Sequence, residues 1–162
     1  MNAGISLILI IVLSFVVASM LNVYPLTPIF AMLRPMFLIM VLIFWVMYQP
    51  RFVGMGAAFL SGLAADLLLD THLGHQAFCA VVMAFALRMA VSYSRRITFA
   101  TAWTLAMVSL SLYCVMLWVL QSIAYTQLVF MGIGSLLSSI LLFPVVWWLL
   151  LQISYKAHKK AS

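Results

Sequence analysis

The residues of this sequence that could do chemistry are concentrated in one short stretch, GLAADLLLDTHLGHQAF, at residues 62–78. It contains both acidic residues of the chain, Asp66 and Asp70, followed closely by His72 and His75. Carboxylates and imidazoles at short spacing are residue types that can bind zinc or transfer protons. The simpler interpretation of the same residues is a helix end that meets water.

Neither chemistry is supported by the rest of the sequence. Asp70, His72 and His75 fall in one short loop without a fourth ligand, so we expect no metal site. A proton-driven carrier would show a longer series of polar groups through its helices. No serine or cysteine is expected at the same depth as a histidine that could serve as its base, and no glycine-rich phosphate loop occurs. We therefore expect no catalysis and no cofactor.

The composition indicates that this protein is surrounded by membrane lipid. Of 162 residues, 68% are hydrophobic and 6% are charged, whereas a soluble domain has about 25% charged residues. Such a chain cannot hide its apolar surface in a core of its own, and we expect membrane lipids around it. The net charge of +6 comes from few, scattered basic residues. Without a basic patch interleaved with aromatic residues, nucleic-acid binding is not expected.

Proline, glycine and charged residues divide the chain into apolar segments. These segments predict an all-α integral membrane protein, a compact bundle of six transmembrane helices in a single domain over residues 1–162. The predicted helices are 4–22, 35–48, 53–70, 75–93, 98–124 and 127–155. The second and third are short for a hydrocarbon core of about 30 Å. Glycines and serines recur early in the last helix, and Pro144 is a candidate kink.

The basic residues predict the orientation of these helices. An even number of spans puts both termini on one side, which we take to be the cytoplasm. The basic residues then on the inner side are Arg51, Arg95, Arg96, Lys156, Lys159 and Lys160. Arg34 alone lies outside, and Arg88 falls within the fourth helix, where its long side chain can reach the inner interface. This asymmetry follows the positive-inside rule.

Small residues share one face of the third helix. Within about 100° of that face, at the helical period, lie Gly54, Ala58, Ser61, Gly62 and Ala65. Small side chains let helix backbones approach closely, so this face should pack on another helix, either in the same bundle or in a partner chain. Asp66 lies at its edge, about one turn inside the outer end. We expect Asp66 to pair with Arg34 or share a hydrogen-bond network with it; the alternative is a protonated or solvated carboxyl at the bilayer edge.

The order of several short motifs in residues 33–77 resembles a known family. Arg34-Pro35 opens a helix, Trp45 comes near its end, and Pro50-Arg51 forms the inner turn. The motifs that follow are Gly54, Gly56 and Phe59, then Gly62 with Asp66, then Leu73-Gly74. In this order and spacing they resemble the rod shape-determining protein MreD family of bacteria, and the number of spans agrees. The grouping of Asp70, His72 and His75 is not part of that pattern.

The resemblance implies a non-catalytic, multi-pass subunit of the cell-elongation machinery in the bacterial inner membrane. Its implied partners are MreC and, through MreC, MreB, RodA and a penicillin-binding transpeptidase. It also implies a six-helix fold similar to the substrate-binding subunits of energy-coupling-factor transporters, although a fold does not decide function. The structural or partner-binding residues expected from the motifs are Arg34, Pro35, Arg51, Gly54, Gly62 and Asp66.

Two other classes of function remain open. A substrate-capturing subunit of a vitamin-type transporter would need a pocket open to the outside, near Arg34, Asp66 and Asp70. A lipid-binding or lipid-flipping protein is compatible with the basic inner rim, although ordinary positive-inside bias also explains that rim. For the scaffold, we expect the small-residue face of the third helix to contribute to MreC binding. Asp66 is expected to fix helix arrangement or a partner contact, without chemistry of its own.

Overall fold

The computed structural model describes residues 3–23, 34–68, 73–93, 98–125 and 133–161. Within these ranges the chain forms six α-helices and no strand. The helices are α1 (Ala3–Val23), α2 (Phe37–Tyr48), α3 (Met55–Leu68), α4 (His75–Tyr93), α5 (Phe99–Tyr125) and α6 (Ile133–Ala161). The predicted all-helical class is therefore confirmed for the part of the chain that is described.

Proline, glutamine and glycine set the helix boundaries around α2 and α3. The carbonyl of Pro35 accepts the N–H of Phe37 at 3.0 Å, so α2 begins two residues later than predicted. After α2, the carbonyl of Gln49 accepts the N–H groups of Phe52 and Val53, which makes a tight turn and delays the start of α3 to Met55. Gly74 has a φ of +100° before α4, a conformation that L-residues with side chains rarely adopt.

The end of the chain differs from the prediction. The last helix continues to Ala161, where the sequence predicted a tail beginning near residue 156. Lysine and alanine are strong helix formers, and no helix breaker follows Tyr155, so the helix continues. The predicted break at 125–127 and the loops that carry Asp70, Arg95 and Arg96 lie wholly or partly outside the described residues.

The short helix α2 is the centre of the bundle. Its residues from Leu38 to Met47 are all buried, and it contacts each of the other five helices. The sequence FLIMVLIFWVMY is apolar on every side, as expected of a helix without a solvent face. The other helices surround it in the order α1, α3, α4, α5, α6 and back to α1. At 12 residues, α2 is about 18 Å long, which its enclosure by protein permits.

Three of the helices are long and apolar enough to cross a membrane, namely His75–Tyr93, Phe99–Ile123 and Ile133–Tyr155. The other apolar helices are shorter, at Leu7–Val23, Phe37–Tyr48 and Met55–Leu68. Large apolar side chains cover the outer faces of the ring, including Leu13, Val108 and Leu141. The chain is a membrane protein, and its surface is the one lipid requires.

Single polar contacts join several neighbouring helices. The indole N–H of Trp45 in α2 donates to Ser14 Oγ in α1 at 2.8 Å. The N–H of Met36, just before α2, donates to Ser139 Oγ in α6 at 2.8 Å. Because lipid cannot satisfy polar groups, each such contact fixes how two helices meet.

Proline in α6 creates a further contact of this kind. Pro144 lacks an N–H, so the carbonyl four residues earlier, at Ile140, loses its helical donor. The indole N–H of Trp103 in α5 donates to that carbonyl at 3.4 Å. The candidate kink of the sequence therefore coincides with an α5–α6 contact.

Candidate functional site

Asp66 caps the helix that follows its own. Its Oδ2 accepts the backbone N–H groups of Gly74 at 2.8 Å and Ala77 at 3.3 Å, and its Oδ1 accepts that of Gln76 at 3.1 Å. The first N–H groups of a helix have no partner within the helix, and a carboxylate satisfies both their hydrogen bonding and the positive end of the helix dipole. The side chain is 1% exposed. This buried carboxylate is thus committed to structure and not open to a substrate.

Gly62 lies where α3 and α4 approach most closely. A Cβ on Gly62 would be 2.4 Å from the Cα of Ala77 and 2.8 Å from the carbonyl oxygen of Gln76. On the same face of α3, Ala58, Ser61 and Ala65 are buried too. Of the two packing partners left open by the sequence, the one observed is a helix of the same bundle. Around Gly62 the small-residue face is covered by α4, while Ser61 at its edge lines the groove described below.

A buried side-chain hydrogen bond joins the start of α4 to α5. The hydroxyl of Tyr113 donates to Oε1 of Gln76 at 3.2 Å, and both side chains are buried. Cys79 and Cys114 are free thiols and are buried. Among the described residues no group of three or more potential metal ligands occurs; Asp70 and His72 lie outside them. The chemistry of this region is that of helix packing.

Arg34 and Pro35 are positioned by the last helix. Both are half-buried before α2, and the Oγ of Ser135 in α6 donates to the carbonyl of Arg34. Ser139, one turn later, accepts the N–H of Met36. The glycine and serine stretch of α6 therefore holds the start of α2. The pairing of Arg34 with Asp66 stays a prediction.

Two arginines lie at the other end of α3. Arg51 is exposed in the turn between α2 and α3. Arg88 projects from α4, and one of its terminal nitrogens is 3.5 Å from the position that a Cβ on Gly54 would take. The side chain of Arg88 is exposed, as expected for a residue that extends to the interface. The guanidinium group of Arg88 therefore lies beside the start of α3.

A long apolar groove runs along the outside of the bundle between the neighbouring helices α1 and α3. It has a volume of about 900 Å³ and is lined by α1 from Ile8 to Val23 and by α3 from Ala57 to Leu68. Leu38 of the central helix also lines it, and Phe52 and Val53 lie at the end near the α2–α3 turn. Since 15 residue steps of helix measure about 22 Å, the groove follows most of the apolar thickness of a bilayer.

The groove offers no charged or unsatisfied polar side chain to an occupant among its described lining residues. No charged side chain is among the described residues that line it. Its two hydroxyls are satisfied within their own helices, because Ser19 donates to the carbonyl of Phe15 and Ser61 to that of Ala58. Within the part of the chain described, no side-chain hydrogen bond joins α1 to α3, in contrast to the contacts at Trp45 and Trp103. An apolar helix or acyl chain is what such a surface accommodates.

Sequence reasoning missed this groove. The signal was present in α3, where Ala57, Ser61 and Ala64 form a second row of small residues beside the row that packs on α4. The position of α1 could not be read from periodicity, since α1 is apolar on all sides. The third helix therefore uses one small-residue face for α4 and another for the groove.

Comparisons with known proteins add evidence of ancestry. Residues 3–154 match the sequence profile of the family described as rod shape-determining protein MreD. Over 60 residues the chain is 43% identical to the rod shape-determining protein MreD of Haemophilus influenzae, and this alignment covers 37% of each chain. The chain thus aligns with little more than a third of that relative's length. No solved structure matches the chain, and the likeness to energy-coupling-factor subunits stays a prediction.

Proposed function

The chain belongs to the MreD family of rod shape-determining proteins, and we propose on that premise that it is a non-catalytic inner-membrane subunit of the cell-elongation complex. In this role it binds MreC and, through MreC, works with MreB, RodA and a penicillin-binding transpeptidase to organise peptidoglycan synthesis. Because most described residues lie in apolar helices, the surfaces through which this chain acts are its lipid-facing helices, its short loops and its basic C-terminal end. Family membership over residues 3–154 is the main support for the role.

The groove between α1 and α3 is the docking site we propose for the transmembrane helix of MreC. Its length suits a spanning helix, and it is apolar from end to end. Ala57 and Ala64 line it with small side chains, which let a partner backbone approach closely. A phospholipid from one leaflet would fill only about half of a bilayer's thickness. The groove length therefore favours a helix as its occupant.

The transporter alternative has less support. It needs a pocket for a small hydrophobic ligand, open to the outside near Arg34, Asp66 and Asp70, whereas the oxygens of Asp66 accept backbone N–H groups at the start of α4. The groove described above lies on the α1–α3 side, away from the face of α3 that packs on α4. Depletion of the protein separates the two classes. Rounded cells with intact vitamin uptake are expected, and rod-shaped cells with impaired uptake would support the transporter.

Filling the groove tests the docking site. Ala64→Trp puts a large side chain into it, and Ala90→Trp makes the same change at an exposed position of α4 outside it. We expect Ala64→Trp to reduce the MreC that co-purifies with the protein several-fold and Ala90→Trp to leave it unchanged, with both variants present in the membrane at wild-type amounts. Wild-type recovery of MreC with Ala64→Trp would remove the groove as the docking site.

A further inference from the structure

The structure brings two guanidinium groups to the same end of α3. Arg51 is exposed in the turn that precedes the helix. Arg88 reaches across from α4 to Gly54, three residues after Arg51, with a terminal nitrogen 3.5 Å from the position of an added Cβ. Three residues of extended chain span at most about 11 Å, so Arg88 approaches the turn that carries Arg51. The two arginines form what we call the basic pair.

The acidic side chain that the structure describes, Asp66, is far from the basic pair. Asp66 and Asp70 are the only acidic residues in the sequence. Asp66 is 12 positions beyond Gly54, about 18 Å along α3, and Asp70 is farther along the chain. Asp66 also accepts N–H groups at the start of α4. No described carboxylate therefore serves as a counter-ion of the basic pair.

The surroundings of the basic pair favour an amphiphilic anion. Met55 and Phe59 lie on successive turns of α3 and are exposed, and neither lines the groove. Phe85, one turn before Arg88 in α4, is half exposed. Exposed apolar side chains thus lie within about two helical turns of each arginine along the chain. An acyl chain attached to the anion would cover them, which a soluble anion or an acidic peptide segment would not.

Arg88 lies inside α4, about 7.5 Å before its end at Tyr93, and its long side chain brings the guanidinium group to the inner interface. With the predicted orientation, the basic pair faces the cytoplasmic leaflet, where anionic lipids are found.

We propose that Arg51 and Arg88 bind the phosphate of an anionic phospholipid of the cytoplasmic leaflet, with its acyl chains along Met55, Phe59 and Phe85. Guanidinium groups suit this ligand because they donate two parallel hydrogen bonds to phosphate oxygens. In the ring of helices α3 separates α4, which carries Arg88, from α1 and the groove. Arg88 therefore lies on the far side of α3 from the groove, whereas Arg51 is next to Phe52, which lines the end of the groove.

Lipid competition on the full-length protein tests this site. The purified chain is mixed with equal amounts of phosphatidylglycerol and phosphatidylcholine, and retained lipids are counted by native mass spectrometry. We expect the wild type to retain phosphatidylglycerol in preference, and the Arg51→Gln/Arg88→Gln double variant to lose that preference. The expected contribution is about fivefold per arginine. Arg51→Lys/Arg88→Lys should fall between, because lysine keeps the charge but not the paired donors.

The matched control removes the same charge elsewhere on the predicted cytoplasmic side. Arg95→Gln/Arg96→Gln should keep the wild-type preference. An equal loss in both double variants would overturn the site in favour of general charge attraction, and a preserved preference in Arg51→Gln/Arg88→Gln would overturn it outright. Loss of MreC co-purification without a change in lipid preference would assign the basic pair to an acidic protein partner instead. Thermal melting without added lipid verifies that each variant is folded.

Discussion

At the scale of single residues, Asp66 is the clearest case of a polar group placed for structure. It lies in α3 but satisfies the start of α4, through hydrogen bonds to Gly74, Gln76 and Ala77. Sequence alone identified Asp66 as the deeper carboxylate beside a packing face. It could not identify the acceptor role, because backbone N–H groups of a later helix are present in every sequence and leave no residue-type signal.

Replacing Asp66 separates the hydrogen-bonding role from the charge. Asp66→Ala leaves three buried N–H groups without their acceptor, and a loss of about 2 kcal/mol is expected, as for other N-cap deletions. Asp66→Asn keeps one carbonyl oxygen and should lose about half as much. Thermal melting in detergent measures both. Equal melting of Asp66→Ala and the wild type would contradict the capping role.

At the scale of helices, α3 presents three different surfaces. Gly62 and Ala65 pack on α4, and Ala57 and Ala64 line the groove. Met55 is exposed on a third surface that belongs to neither contact. The periodicity of small residues correctly predicted that one face packs on another helix. It did not reveal which helix, since a stripe of glycine and alanine fits any close partner.

The contact between α3 and α4 leads to a prediction with a control on the same helix. Gly62→Ala would put a Cβ 2.4 Å from the Cα of Ala77, so the two helices must separate. Gly56→Ala meets no atom within 4 Å and gains helix propensity, about 1 kcal/mol at most. We expect Gly62→Ala to lower the melting temperature and Gly56→Ala to leave it unchanged or raise it.

Two results would contradict this view of the contact. One is a Gly62→Ala variant as stable as the wild type, and the other is a Gly56→Ala variant that is equally destabilised. Because Gly62 is internal, a larger substitution there, such as Gly62→Leu, would disturb the bundle as a whole. Loss of MreC binding in that variant would not locate the MreC site, which is why the groove positions are better probes.

At the scale of the whole molecule, hydropathy was sufficient to predict a membrane protein and the six helices found in the described residues. It was not sufficient to predict their arrangement, in which five helices enclose α2. An all-apolar segment such as FLIMVLIFWVMY fits lipid and a protein interior equally well. From sequence, α2 was therefore predicted to be another membrane-spanning helix. Its length of 12 residues was the useful indication, because a helix facing lipid would need about 20.

The distribution of charge also belongs to this scale. The buried Asp66 lies where α3 meets the start of α4, and the basic pair lies at the opposite end of α3. The groove runs between these two ends without a charge among its described lining residues. With the two proposals made above, the molecule would offer a neutral groove about 22 Å long to a partner helix and a cationic site to lipid.

Photo-crosslinking in living cells tests most directly whether the groove docks MreC. A photoreactive amino acid is introduced at Leu60, which is 66% exposed and lines the groove, or at the adjacent Phe59, which is 48% exposed and does not. Both positions lie on one helix at the same depth. A crosslinked product with MreC is expected from position 60 and not from position 59. Crosslinking from position 59 alone, or equally from both, would contradict docking in the groove.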